Sequence, residues 1–194
     1  RWQQAESTIN GTMSEPGALI DRPVSPERGQ LISLLYNTRV LETEYLSFAG
    51  ADFSFAEVRL PLFAAMSLKH ALLRYADFST TSMRSITFSA SFLEGARFRG
   101  AIIGDTDFGG IPYTGVEPPY EGSPDFPIWR TMLSGADFTG ALIFNTSFDN
   151  INGLAIAFDG AVIVDADFTD ANLAASTFRN ALIARKTCAS SLGQ

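Results

Sequence analysis

One cysteine (Cys188), one histidine (His70) and two tryptophans are all that 194 residues supply of those types. A lone cysteine excludes an internal disulfide and a zinc site built on several thiolates. A lone histidine, far in sequence from Cys188, leaves neither a histidine cluster for a metal nor a Cys–His nucleophile pair. No P-loop or dinucleotide-binding glycine pattern occurs. Aspartates recur only because a repeat recurs, so no carboxylate pair singles itself out for acid–base work. No catalytic residue, metal ligand or cofactor is therefore expected. No apolar run approaches the roughly 20 residues that cross a bilayer, and no signal-peptide pattern opens the chain. Positive charge is also scarce: 14 Lys and Arg stand against 21 Asp and Glu, a net charge of −7. That sign disfavours direct nucleic-acid binding. The thiol count fits a reducing, cytoplasmic setting. With Arg1 rather than Met in first place, an upstream segment is expected, and a membrane link would come only through it.

What the chain has is phenylalanine and a clock. It is 46% hydrophobic and 18% charged, which excludes the low-hydrophobicity, high-charge regime of disorder. Of the 16 Phe residues, 12 fall on a single five-residue phase that runs from Phe48 through Phe108 and again from Leu133 to Ile183, broken only at Gly153 and, beyond Ile183, at Cys188. Two residues before the large position lies a second phase, mostly small, as at Ala51, Ala76, Ala96, Ala136 and Ala166. Two residues after it sit corner types, as at Gly50, Gly100, Gly140, Asn150 and Asp170. A period of five fits neither a helix nor a plain strand. It fits short extended faces joined by tight corners, with the small and large residues both pointing inward because they are two apart, and with corner residues that tolerate the turn.

The units Ala51-Asp52-Phe53-Ser54, Ala136-Asp137-Phe138-Thr139-Gly140, Ala166-Asp167-Phe168-Thr169-Asp170 and Ala171-Asn172-Leu173 resemble the repeat of the pentapeptide-repeat family. The resemblance covers roughly residues 46–188 with one interruption. It implies an all-β fold, a right-handed quadrilateral parallel β-helix of four units per circuit. The chain supports a four-unit circuit by itself, because the outward residue before the large one repeats best at twenty: Leu62, Ile102, Leu142, Val162, Leu182. About six to seven coils are expected, stacked at about 4.8 Å.

Around this solenoid the chain divides into an arm at 1–24, a capping helix within 25–45, a first run of repeats at 46–110, an interruption at 111–130 and a second run at 131–190. Ser25 suits the helix N-cap, Pro26 the first turn and Glu27 the positive dipole end. Leu31, Leu34 and Leu35 are expected to share the face that covers the open edge of the first coil. The interruption holds five prolines with Tyr113, Tyr120, Phe126 and Trp129. Proline is poorly placed in a stacked sheet, and twenty residues equal one circuit, so the segment is either one irregular coil or a loop that leaves whole. Gly153 empties one large position, predicting a locally weak or bent coil.

Two surfaces are candidates for recognition. Leu142, Phe144, Val162, Val164 and Leu182 fall on one outer face where the family is normally polar, and contiguous apolar surface usually marks an interface. The aromatics of 111–130 form the second candidate, as a loop on a rigid support. The expectation is a non-catalytic scaffold binding a protein partner or a second copy of itself. The alternative, implied by the resemblance, is an acidic rod that mimics DNA and binds DNA gyrase or another topoisomerase, as quinolone-resistance members of the family do. Rows containing Asp77, Asp107, Asp137 and Asp167 would supply the spaced charge, although such aspartates are also ordinary to the repeat.

Overall fold

In the computed structural model, residues 24–40, 47–111 and 130–185 are described in full, together with the backbone of two short strands near the N-terminus. Those strands, β1 (Thr8–Ile9) and β2 (Thr12–Met13), pair antiparallel. Helix α1 (Pro26–Asn37) follows. Then come six three-residue strands: β3 (Leu62–Ala64), β4 (Ser82–Arg84), β5 (Ile102–Gly104), β6 (Leu142–Phe144), β7 (Val162–Val164) and β8 (Leu182–Ala184). These six form one parallel sheet in sequence order.

The other three faces of the circuit are ladders of single parallel bridges. Asp52, Leu72, Phe92, Met132, Asn152 and Asn172 pair in order along one; Glu57, Asp77, Arg97, Asp137, Ala157 and Thr177 along the next; Ser67, Thr87, Asp107, Ser147 and Asp167 along the last. Each face therefore advances by one rung per twenty residues, or per forty across the break at 111–130. Between faces the backbone turns through the left-handed region at nearly every fifth residue, Leu60 and Gly110 excepted. Glycine takes this where it can (Gly95, Gly100, Gly140), but Thr80, Asn145 and even Tyr75 accept it too. The architecture is a four-sided parallel β-solenoid. Its main sheet has six rungs and so five circuits from first to last, slightly fewer than expected.

Opposite faces carry the aromatic core. Phe78, Phe98, Phe138 and Phe158 stack face to face at 4.6–5.3 Å on one side of the lumen. Phe88, Phe108 and Phe148 do so at 4.9–5.0 Å on the other. Across the lumen the two columns meet edge to face, as at Phe98–Phe108 (5.4 Å) and Phe138–Phe148 (5.6 Å). Both arrangements suit the ring quadrupole. Leu73, Leu93 and Leu133 with Ile103, Ile143 and Ile163 fill the remaining two sides, fully buried or nearly so.

The ladder closes across the interruption. Phe92 pairs with Met132 and β5 pairs with β6, forty residues apart instead of twenty. Leu93 N–H donates to Met132 C=O and Phe98 N–H to Asp137 C=O, both at 2.7 Å. The rungs on either side of the break at 111–130 are thus bonded directly to each other. Thr131 seals the break: its buried hydroxyl donates to Gly109 C=O and accepts from Ala90 N–H, each at 2.8 Å. The interior of the segment, with Tyr113, Tyr120, Phe126 and Trp129, lies outside the described residues.

Helix α1 caps the first coil, with Ser25 accepting from Arg28 N–H as N-cap. The face it uses differs from the one expected. Leu31 and Leu34 are exposed, while Gly29 and Ile32 are buried and Leu35 and Tyr36 pack on the core. The reason lies at Gly29: a Cβ there would sit 1.9 Å from the Glu57 carbonyl oxygen. Only the glycine lets the helix rest directly on coil backbone, which turns Ile32 into the core and rolls Leu31 and Leu34 outward. Ser25 also adds a bridge to Ala56, donating to Phe55 C=O. The opposite end differs: in the last described rung Ile183 is 59% exposed, and Cys188 lies outside the described residues.

Gly153 is not the gap expected. A Cβ there would meet Ile156 Cδ1 at 2.4 Å and Ile151 Cδ1 at 3.1 Å. Ile151 and Ile156 stand at the small positions, where alanine is usual, and both are fully buried. They fill from either side the volume that a large residue at 153 would take.

Candidate functional site

Five residues per face, four faces per rung and a left-handed residue at nearly every corner mark residues 48–110 and 131–184. The fold is that of the pentapeptide-repeat proteins. No family model matches the chain, and no curated protein does. Among solved structures the chain is similar to Rfr23, a pentapeptide repeat protein from the cyanobacterium Cyanothece 51142, at 15% identity, 71% of this chain, 84% of that one and TM-score 0.24. It is similar to trypsin-treated QnrB1, a plasmid-mediated fluoroquinolone resistance protein, at 12% identity, 71% and 81% coverage and TM-score 0.27. It is also similar to HetL, a pentapeptide repeat protein involved in heterocyst differentiation regulation from the cyanobacterium Nostoc, at 18% identity, 70% and 82% coverage and TM-score 0.23. The assignment of fold here rests on the register.

In this pentapeptide-repeat fold the β3–β8 sheet is the one continuous strand face, and it displays the apolar residues singled out by period. One outward row reads Leu62, Ser82, Ile102, Leu142, Val162, Leu182, each residue directly over the next. The other reads Ala64, Arg84, Gly104, Phe144, Val164, Ala184. Leu62 is 53% exposed, Ile102 45%, Leu142 39% and Leu182 60%. Phe144 and the two valines are half-buried. Phe144 lies down over Gly104, where a Cβ would be 2.2 Å from its ring. The predicted residues Leu142, Phe144, Val162, Val164 and Leu182 are thus brought together, and only Ser82 and Arg84 interrupt the strip.

A second apolar row escaped sequence reasoning. Leu72, Phe92 and Met132 are consecutive bridge partners on the opposite face, half-buried, with Arg74 held 4.5 Å over the Phe92 ring. Nearby, Phe55 and Tyr75 stack at 5.2 Å from two corner positions. Reading the outward phase at a period of twenty would have found Leu72, Phe92 and Met132. No period points to aromatic side chains at corners, where small residues dominate.

The acidic rows are occupied differently from a charge display. Asp77, Asp107, Asp137 and Asp167 each accept from the backbone N–H two residues on, at 2.7–3.0 Å, so the carboxylate pins its own turn. Arg97 lies between Asp77 and Asp137 in the ladder, and Arg99 pairs with Asp137. Burial pushes the Asp137 carboxyl up, but hydrogen bonds from Thr139 and Arg99 and the Arg99 charge outweigh it and hold it below the usual value. Hydrogen bonds from Thr169 depress Asp167 likewise. A carboxyl depressed in the folded state stabilises fully above its unfolded pKa, and that contribution is lost as pH falls through the folded one. Asp137→Asn should therefore melt below wild type at neutral pH and converge with it under acid. With Arg99 largely exposed, the ion-pair share is about 0.2–1 kcal/mol. Equal melting of the two proteins at neutral pH would refute this role.

His70 sits at a corner with φ of 56°. Among the described residues no group of three or more His, Cys, Asp or Glu is placed to hold a metal ion, and no helix is long and apolar enough to cross a membrane.

Proposed function

We propose that this chain is a non-catalytic scaffold that binds another protein surface through the β3–β8 face and the 111–130 segment. The observation that carries the reading is the exposed apolar strip on a rigid six-stranded sheet. Exposed strips of this length on a soluble surface serve as interfaces, and a sheet backed by stacked rings holds its side chains without a large ordering cost on binding. The DNA-mimic reading finds less support, because its aspartates are tied to backbone amides, Arg97 stands between Asp77 and Asp137, and Arg99 pairs with Asp137.

The fold permits a clean test. Gly110 is a corner and Thr131 starts the next unit, so joining them by deleting 111–130 keeps every rung in register. Cross-linking from the native host should yield proteins held by wild type and lost from the deletion or from Leu142→Glu, with binding then confirmed using the purified partner. Both variants should melt like wild type. If well-folded variants hold the same proteins as wild type, the interaction reading fails.

A further inference from the structure

The order of residues along the β3–β8 face carries more than its hydrophobicity. The break at 111–130 leaves three rungs on each side, and the two halves complement one another. Consider a twofold axis lying along the strand direction, in the plane of the face, between β5 and β6. It sets two copies face to face with their solenoids antiparallel. Leu62 then meets Leu182, Ile102 meets Leu142 and Ser82 meets Val162, because the register fixes which rung stands opposite which. In the second row Arg84 meets Val164.

We infer that this face is the contact of a homodimer, with a second copy of the chain as its occupant. This rests on the proposed interaction role of the face and names the partner. Charge decides in favour of self. The single cation within the strip, Arg84, falls opposite the rung whose next residue is Asp165, at the corner bordering the sheet. The dyad thus brings Arg84 of each copy to Asp165 of the other, twice. Arg84 already pairs with Asp105 at 2.8 Å in its own chain, so the contact extends an ion pair into a network and strands no charge. Asp105 in turn faces Asn145 of the second copy, not another carboxylate. Phe144, lying across Gly104, occupies the space between the two middle rungs. The dyad passes there, so the two Phe144 rings meet each other. At the other border Gly100, Gly140 and Gly160 hold the corners nearest the dyad, with Thr80 and Asn180 farther out, and a Cβ at Gly140 or Gly160 would meet nothing. Around the dyad, no corner side chain holds the sheets apart.

Six rungs at about 4.8 Å give a footprint of about 400 Å² per copy. With the bordering corners the total reaches about 1,000 Å², the low end for a specific interface. Association in the micromolar range follows.

Sedimentation equilibrium of the full chain from about 1 to 300 μM tests this. Wild type should pass from monomer to dimer. Leu142→Glu, an outward residue, should weaken association at least about tenfold with an unchanged melt. Arg84→Asp should weaken it about tenfold, and adding Asp165→Arg should restore it. That recovery requires the contact between chains, since the partner of Arg84 within the chain is Asp105. A wild type that stays monomeric overturns the proposal. A dimer indifferent to Leu142→Glu, as one formed end to end at Ile183 would be, overturns it as well. The broader interaction reading stands apart: if wild type is monomeric while Leu142→Glu still releases a heterologous partner, only the self-association is wrong.

Discussion

Phe138→Ala should cost about 3–5 kcal/mol in urea unfolding, and Phe138→Asp should prevent folding at ambient temperature. Phe138 has no exposed surface. It stacks on Phe98 at 4.6 Å and Phe158 at 5.1 Å, and meets Phe108 and Phe148 edge-on at 5.7 and 5.6 Å. Truncation leaves a void bounded by four rings that backbone ladders hold in place, so the site cannot collapse to fill it. An aspartate there would carry a charge into a column with no polar partner at ring level, and the desolvation cost exceeds the stability of an ordinary domain.

The same substitution at the end of the stack gives the control. Phe168 belongs to the same clock but lies in the last described circuit, half-buried, with Phe148 stacked on one side at 5.0 Å. Phe168→Ala should cost about 1–2 kcal/mol. In a solenoid each circuit is stabilised only by its neighbours, so the loss grows with the number of neighbours a residue has. Equal losses at 138 and 168 would mean that the stack does not follow nearest-neighbour logic. Because unfolding of such an array need not be two-state, the comparison is best made by hydrogen exchange as well as by denaturant.

The contrast between these two phenylalanines marks how far the sequence could be read. Period five fixes which residues point inward, and period twenty fixes which rung lies over which. Together they place Leu142, Val162 and Leu182 in one row, and the register agrees. They also limit the interruption to two options by its length. Period is blind to whatever depends on volume or on backbone approach. At α1 the leucines suggested the buried side, yet backbone contact at Gly29 decided it, and the sequence carries no measure of that approach. In the outward acidic rows composition suggested charge on display. Yet the carboxylate of each A-D-F unit is two residues from an N–H it can bind, so local geometry claims it first.

Gly153 shows the same limit most sharply, and it yields the second large effect. Ile156→Ala should cost about 2–5 kcal/mol, far above the near-silent expectation for a position where alanine is the usual residue. Its Cδ1 stands where the Cβ of residue 153 would be, so Ile156 substitutes for the missing large side chain. Gly153→Leu alone should also destabilise, by about 1–3 kcal/mol, because its side chain must enter space held by Ile151 and Ile156. In the triple variant Gly153→Leu with Ile151→Ala and Ile156→Ala, the regular pattern of small and large positions is restored, with an inward volume like that of the neighbouring Leu133 rung. Its stability should exceed that of the Ile151→Ala/Ile156→Ala double variant. The coupling between position 153 and the two isoleucines should thus be opposite in sign to their separate effects and larger than 1 kcal/mol. Additive losses across the cycle would show that the three residues do not share one volume, and that the circuit at Gly153 is held by its backbone ladders alone.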